Sequence, residues 1–126
     1  MNIPLGYGLV GLVGVGIILI GARFLWNPRA AATGFGIPGE PLGGQSPQAW
    51  LAVKGVRDIV AGLLAFSVMI NAGPRALGWF MLTASVIPAC DAAIVLRSGG
   101  TRAVAYGIHG ATAVVMLAIG ALLILG

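Results

Sequence analysis

The stretch AVKGVRDIVAGLLAF, residues 52–66, decides how the whole chain is read. It sets Lys54, Arg57 and Asp58 at the head of an apolar run that continues to Ile70, in a chain with only seven Lys and Arg and three Asp and Glu. At the centre of a membrane-spanning helix each such charge costs roughly 2.5–3.5 kcal/mol, whereas Leu, Ile, Phe and Val return about 0.3–0.6 kcal/mol each. The segment therefore inserts as a span only if its charges sit off centre, snorkel to the surface, pair, or face other helices.

The surroundings argue that it does insert. Of 126 residues, 59% are hydrophobic and 8% are charged, against about 25% charged in an average soluble domain. The apolar residues gather into stretches of about twenty, the length that carries a helix across a bilayer. Four spans follow, at about 5–26, 48–70, 75–96 and 102–125, separated by NPRAAATGFGIPGEPLGGQSP, NAGP and RSGGTR. Pro and Gly punctuate helix ends, and short connections make successive helices antiparallel neighbours. The expected fold is all-α, an integral membrane antiparallel four-helix bundle forming a single domain over residues 1–126. Strand alternation is absent, which argues against an outer-membrane barrel.

The first stretch reads as a retained span. MNIP carries no Lys or Arg, and the apolar run behind it exceeds the roughly 7–15 residues of a signal-peptide core. Cys90 is the single cysteine, so neither an internal disulfide nor a cysteine-rich metal site is possible. A net charge of +4 bears on orientation more than on nucleic acid, since basic residues in a membrane protein mark the cytoplasmic side. Arg23, Arg29, Arg97 and Arg102 flank the first and third connections, with Lys54 and Arg57 leaning towards them, and Arg75 alone flanks the second. This places the protein in the cell inner membrane or its equivalent, with both termini on the non-cytoplasmic side.

GYGLVG at 6–11 matches the dinucleotide pattern G-x-G-x-x-G letter for letter. That fingerprint needs a preceding strand and an acidic residue about twenty positions on, but MNIPL precedes it and no acid occurs before Glu40. The glycines at 6, 8, 11, 14 and 16 are better read as a groove for another helix. No Ser-His-Asp array, P-loop or nucleic-acid motif occurs, and no pattern calls for a metal, haem, flavin or nucleotide cofactor.

The remaining ionisable residues fall at matching depths. Counted at about 1.5 Å per residue, Asp58 lies roughly 16 Å in from Pro47 and Lys54 about 10 Å; Asp91 lies about 9 Å from Arg97 and His109 about 10 Å from Arg102. In antiparallel spans Arg23, Lys54, Arg57, Asp58, Asp91 and His109 all reach the cytoplasmic half, whereas the outer half of the spans has no charge. Ionisable residues inside a membrane face a bundle interior or a watery cavity and mark sites. Lys54 and Asp58, four apart, share a face and are placed to pair, with Arg57 on the adjoining sector as the other candidate cation. Asp91 and His109 come level across the RSGGT turn, where a carboxylate fixes an imidazole tautomer and the two can exchange protons. Pro88 removes a backbone donor and frees the carbonyl near Ala84, so the third span is expected to bend just before Asp91. The first connection is expected to be the one long loop, its Phe35 and Ile37 forming either a cap or a flexible link.

FLWNPRAAATGFGIP at 24–38, KGVRDIVAG at 54–62 and the later Asp91 and His109 together resemble a family of small four-helix integral membrane proteins catalogued only as a domain of unknown function. More loosely, size and helix count are similar to DoxX-like proteins. Either resemblance implies architecture and no reaction. Small multidrug transporters are of similar size, but their essential acid lies in the first helix, and the first span here has none.

The function expected from these residues is a polar pocket in the cytoplasmic half that binds a small lipophilic molecule from the bilayer. Asp91, His109 and Asp58 are the candidate catalytic acid–base groups for an isomerisation or cyclisation, and Lys54, Arg57 and Arg23 are the candidate ligand-binding groups. The alternatives are a proton-linked transporter acting as a homodimer and a non-enzymatic accessory subunit.

Overall fold

The computed structural model describes residues 2–38 and 45–126, and all of their regular structure is helical. In chain order the elements are α1 (Ile3–Trp26), α2 (Pro28–Phe35), α3 (Gln45–Asn71), α4 (Pro74–Ala84), α5 (Val86–Arg97), α6 (Arg102–Val104), a π-helical turn (Ala105–Gly110) and α7 (Ala111–Leu125). α4 and α5 run on as one rod, as do α6, the π turn and α7. With α1 and α3 they make four rods whose limits lie within three residues of the expected spans. Ile3–Trp26, Pro74–Arg97 and Arg102–Leu125 are each long and apolar enough to cross a membrane. The protein is therefore an integral membrane protein.

Its surface is built for lipid. Leu12, Ile70 and Leu125 are 72%, 78% and 85% exposed, and α7, like α1 up to Arg23 in its last turn, is apolar around nearly its whole circumference, as helices are in a core or a bilayer. Trp26 and Trp50 are exposed at one end of the bundle and Trp79 towards the other, where amphipathic indole rings favour the membrane–water boundary.

Glycines set the register of the rods. A Cβ on Gly21 would stand 2.5 Å from the carbonyl oxygen of Gly55, and one on Gly62 would stand 2.7 Å from that of Gly14. Gly14 and Gly21, like Gly55 and Gly62, are seven residues apart, two turns of helix, so each pair lies on one face. Antiparallel α1 and α3 thus approach backbone to backbone, and Gly78 of α4 and Gly120 of α7 do the same, a Cβ on Gly78 falling 2.8 Å from the Gly120 carbonyl oxygen. The groove expected along α1 is only partly right. Gly6 packs on Leu123 and Gly14 on Phe66, but Gly8, Gly11 and Gly16 meet nothing, because they lie on other sectors of the helix.

The two halves of the bundle are packed differently. Val10, Ala65, Leu77, Met81, Met116, Ile119 and Leu123 form an apolar core in the half where Asn2 and Gly126 lie side by side. Among the described residues, the arginine-flanked half buries smaller groups and one ring, Ala31, Ala92, Val95, Ala105 and Phe24, outside that cluster. Between them the third rod breaks at buried Ser85, whose hydroxyl donates to the Leu82 carbonyl at 2.6 Å. Pro88, lacking an N–H for the Ala84 carbonyl, is the cause. The break lies a turn further from Asp91 than expected.

One further correction concerns the first connection, which is not simply a loop. Residues Pro28–Phe35 form α2, started by Asn27, whose side chain accepts from the Ala30 N–H at 3.3 Å, and stopped by Gly36 at φ 101°. Asn as N-cap, Pro in the first turn and Gly just past the end are ordinary helix punctuation. Residues 39–44 of the expected cap lie outside the described residues.

Candidate functional site

At the arginine-flanked end, α3 presents Lys54 and Asp58 to the bundle interior one helical turn apart. The Lys54 Nζ donates to Asp58 Oδ2 at 2.8 Å, with Asp58 9% exposed. The close seam at Gly21 and Gly55 puts this pair hard against α1: a Cβ on Gly21 would be 2.8 Å from that of Asp58. The same ammonium lies 4.8 Å from the ring centre of Phe24 on α1 and 5.0 Å from that of Phe35 at the end of α2. Two aromatic faces and one carboxylate surround it, an arrangement that offsets much of the cost of holding a cation inside a membrane protein.

Phe35 also ties this group to the fourth rod. His109 is 8% exposed, its Nε2 lies 2.8 Å from the Phe35 carbonyl oxygen, and its ring centre is 4.4 Å from that of Phe35. A carbonyl only accepts, so Nε2 carries the hydrogen, and in neutral imidazole Nδ1 is then an acceptor. The Phe35 carbonyl can point there because Gly36 turns the chain in the left-handed region. A Cβ at Gly36 would meet the Val104 side chain at 2.5 Å, and the Gly36 carbonyl fills the space that a Cβ on Gly100 would need. α2 and its end are therefore keyed into the turn between α5 and α6.

The π turn is what aims His109. Ala105, His109 and Ala113 are all buried at intervals of four, a spacing that drifts by about 40° per step in an α-helix. A π turn is wider, shown by the Ala111 N–H reaching back to Tyr106, and it keeps the three on one face. Single π turns of this kind occur frequently at functional sites.

Asp91 lies on the stripe of α5 that buries Pro88, Ala92 and Val95, and α5 packs on the π turn. It is partly exposed and makes no side-chain hydrogen bond among the described residues, although Lys54, His109 and Asp58 are within electrostatic reach. The expected direct pairing of Asp91 with His109 is thus replaced by a His109 bond to backbone, because α2 occupies the place next to the imidazole. Arg57 and Arg23 are exposed and outside this cluster; Asp58 takes Lys54 as its partner, and Arg57, one residue from Asp58, is turned about 100° away. Phe24 and α2 are the parts that the sequence reading passed over, although NPRAAATGFG carries the signal for the helix.

A shallow apolar depression of about 270 Å³, lined by Asn2, Ala118, Ala121, Leu122, Leu125 and Gly126, lies at the other end of the bundle. It contains no ionisable side chain and lies away from the cluster.

Compared with known families, residues 14–123 match the model of a family described as Domain of unknown function (DUF4267). No curated protein and no solved structure gives a match. The family match bears out the expected resemblance and assigns no activity; it does not carry the looser likeness to DoxX-like proteins.

Proposed function

The chain belongs to that family, and from this premise we propose that it is a membrane-embedded binding protein for a small lipophilic molecule, with acid–base chemistry such as isomerisation or cyclisation at the same site. The observation that carries this is the gathering of the Lys54–Asp58 pair and His109 around Phe35 at the end of α2, with Asp91 on the stripe of α5 that packs on the π turn. A purely structural ion pair needs none of the other parts: no imidazole aimed by a π turn, and no partly exposed carboxylate without a hydrogen bond. His109, held as the Nε2–H tautomer, offers Nδ1 as a proton acceptor, and Asp91 is the second group able to exchange a proton. The hydrocarbon portion of the ligand would lie along the apolar rods, entering from the bilayer.

Transport is less well supported. A path through one copy would cross the half that Val10, Leu77, Met81, Met116, Ile119 and Leu123 fill, and a packed apolar core offers a polar solute no route.

Lipophiles retained through purification in a mild non-ionic detergent, then extracted and identified by mass spectrometry, test the proposal. A defined molecule held by the wild-type protein and lost from a variant carrying both Asp91→Asn and His109→Leu supports it. Bulk lipid alone, in the same profile for both proteins, overturns it. Where a reaction is found, Asp91→Asn and His109→Ala should each remove most of the rate, and the double variant should be little worse than either, since groups that act as a unit are non-additive.

A further inference from the structure

We infer that Arg57 holds the phosphate of an anionic phospholipid in the leaflet at the α2 end, a site on the outside of the bundle and independent of the ligand proposed above. Arg57 is two residues from Gly55 of the seam, about 200° round the helix, so it points away from α1. The exposed stripe on that side of α3 carries Trp50, Val53, Arg57, Val60 and Leu64, at spacings of three and four that set them on one face. Arg57 is the one charge among them. The glycine seam also fixes its depth. Gly21 meets Gly55 and Gly14 meets Gly62, so antiparallel α1 and α3 bring Trp26 about level with Trp50, and Arg57 about level with Leu19 and Ile20, all of them exposed. α1 is long and apolar enough to cross a membrane, which puts the part of α3 beside it in the bilayer as well. Arg57 follows Trp50 by seven residues, about 10 Å of helix, and so lies that far beneath the boundary that the two indoles favour.

A guanidinium cannot be deprotonated in a protein, so on a face turned to hydrocarbon it needs an anion. Among the described residues Arg57 has no ion pair and no side-chain hydrogen bond, and neighbouring Asp58 is held by Lys54. A second copy of the chain is poorly equipped to supply the anion, since its Asp58 is paired and its Asp91 lies on the packed stripe of α5. The bilayer brings one of its own, the lipid phosphate. Helical side chains lean towards the N-terminus of their helix, which for α3 is the α2 end, so the arginine reaches over the turn of Val53 towards the headgroups. Its fork of N–H donors matches two phosphate oxygens, the Trp50 indole adds a donor at the boundary, and Val53, Val60 and Leu64 give an acyl chain an apolar track. Exposed Arg29, Arg97 and Arg102 at the same end favour a lipid with net negative charge.

The test is native mass spectrometry of the full chain in a mild non-ionic detergent, titrated with dioleoyl phosphatidylglycerol or with dioleoylglycerol, which has the same chains and no phosphate. One phosphatidylglycerol is expected to be held about tenfold or more tightly than the diacylglycerol, the scale of one charge-assisted hydrogen-bonded contact. Arg57→Leu should remove that difference and leave diacylglycerol binding unchanged, whereas Arg29→Leu, on the exposed side of α2, should leave most of it in place. A phosphatidylglycerol affinity that Arg57→Leu does not change, or that Arg29→Leu lowers equally, overturns the site. So does a wild-type dimer that Arg57→Leu turns into a monomer, because a second copy then covers the stripe. Arg57→Gln, polar but uncharged, carries the same expectation should Arg57→Leu not fold.

Discussion

Asp58 shows how one carboxylate is tolerated in a mainly apolar helix. Its partner Lys54 is four residues away on the same helix, so the pair forms without any tertiary contact, and α1 then covers it. The Lys54 side chain keeps 32% exposure against 13% for Asp58, so removing the acid strands a cation that is only partly desolvated. Asp58→Leu is expected to destabilise the protein by more than the roughly 1 kcal/mol of an exposed pair and by less than the about 3–5 kcal/mol of a fully buried one. Reversible unfolding in mixed micelles measures it, and a loss under about 0.5 kcal/mol would show the pair to be solvated. His109 is the complementary case, because its bond to Phe35 spans 74 residues of sequence and is tertiary by nature. His109→Leu should cost about 1–3 kcal/mol, the range for leaving a buried partner unsatisfied. Glutamine, which can donate from a similar position, should recover part of that. Equal losses for the two substitutions would show the bond to be unimportant.

Elements are held together here by what their surfaces lack. Two glycines on α1 and two on α3 let the backbones touch, so that dispersion replaces the hydrophobic drive missing between helices in lipid. Gly21→Leu should force α1 from α3 and displace Lys54 and Asp58 with it. Gly11→Ala, where nothing lies within 4 Å, should be neutral or gain about 0.5–1 kcal/mol from a better helix former. Thermal unfolding of the two variants side by side checks this, and a Gly21→Leu protein as stable as wild type would remove the seam from the account. The π turn is a second element-level device. Deleting Gly107 should return the segment towards an α-helix and swing either His109 or everything before it by about 100°, so ligand retention should be lost while the helix content measured by circular dichroism is kept. Retention undiminished in this deletion would show that the π turn does not aim the site.

For the whole molecule, the gathering of basic residues at one end is the main directional signal. Arg29, Arg97 and Arg102 stand with Trp26 and Trp50 at the end where α2 lies, and Arg75 stands at the other. By the positive-inside rule we propose that the α2 end is cytoplasmic. In a protein whose Cys90 is replaced by Ala, a membrane-impermeant thiol reagent applied from outside should label Asn71→Cys and spare Ser98→Cys. Labelling of Ser98→Cys alone would reverse the orientation and put the site on the outer face. The apolar core in one half and the polar cluster in the other make the bundle asymmetric along its axis.

Composition and spacing were enough for the architecture. Stretches of about twenty apolar residues have few ways to satisfy their backbone in lipid, and the helix is the one that needs no partner. For the same reason the Lys54–Asp58 pair was legible in the sequence, since a spacing of four is a contact within one helix whatever surrounds it. Placement of Asp91 and His109 at similar depths needed only the rise per residue. The partner of His109 could not be read this way, because a carbonyl 74 positions away leaves no trace in local pattern. Nor could the retreat of Arg57 and Arg23 to the surface, which depends on how each helix is rotated about its own axis. That rotation is set by glycine seams, by the break at Ser85 and by one π turn, and these arise only when the rods are packed against each other.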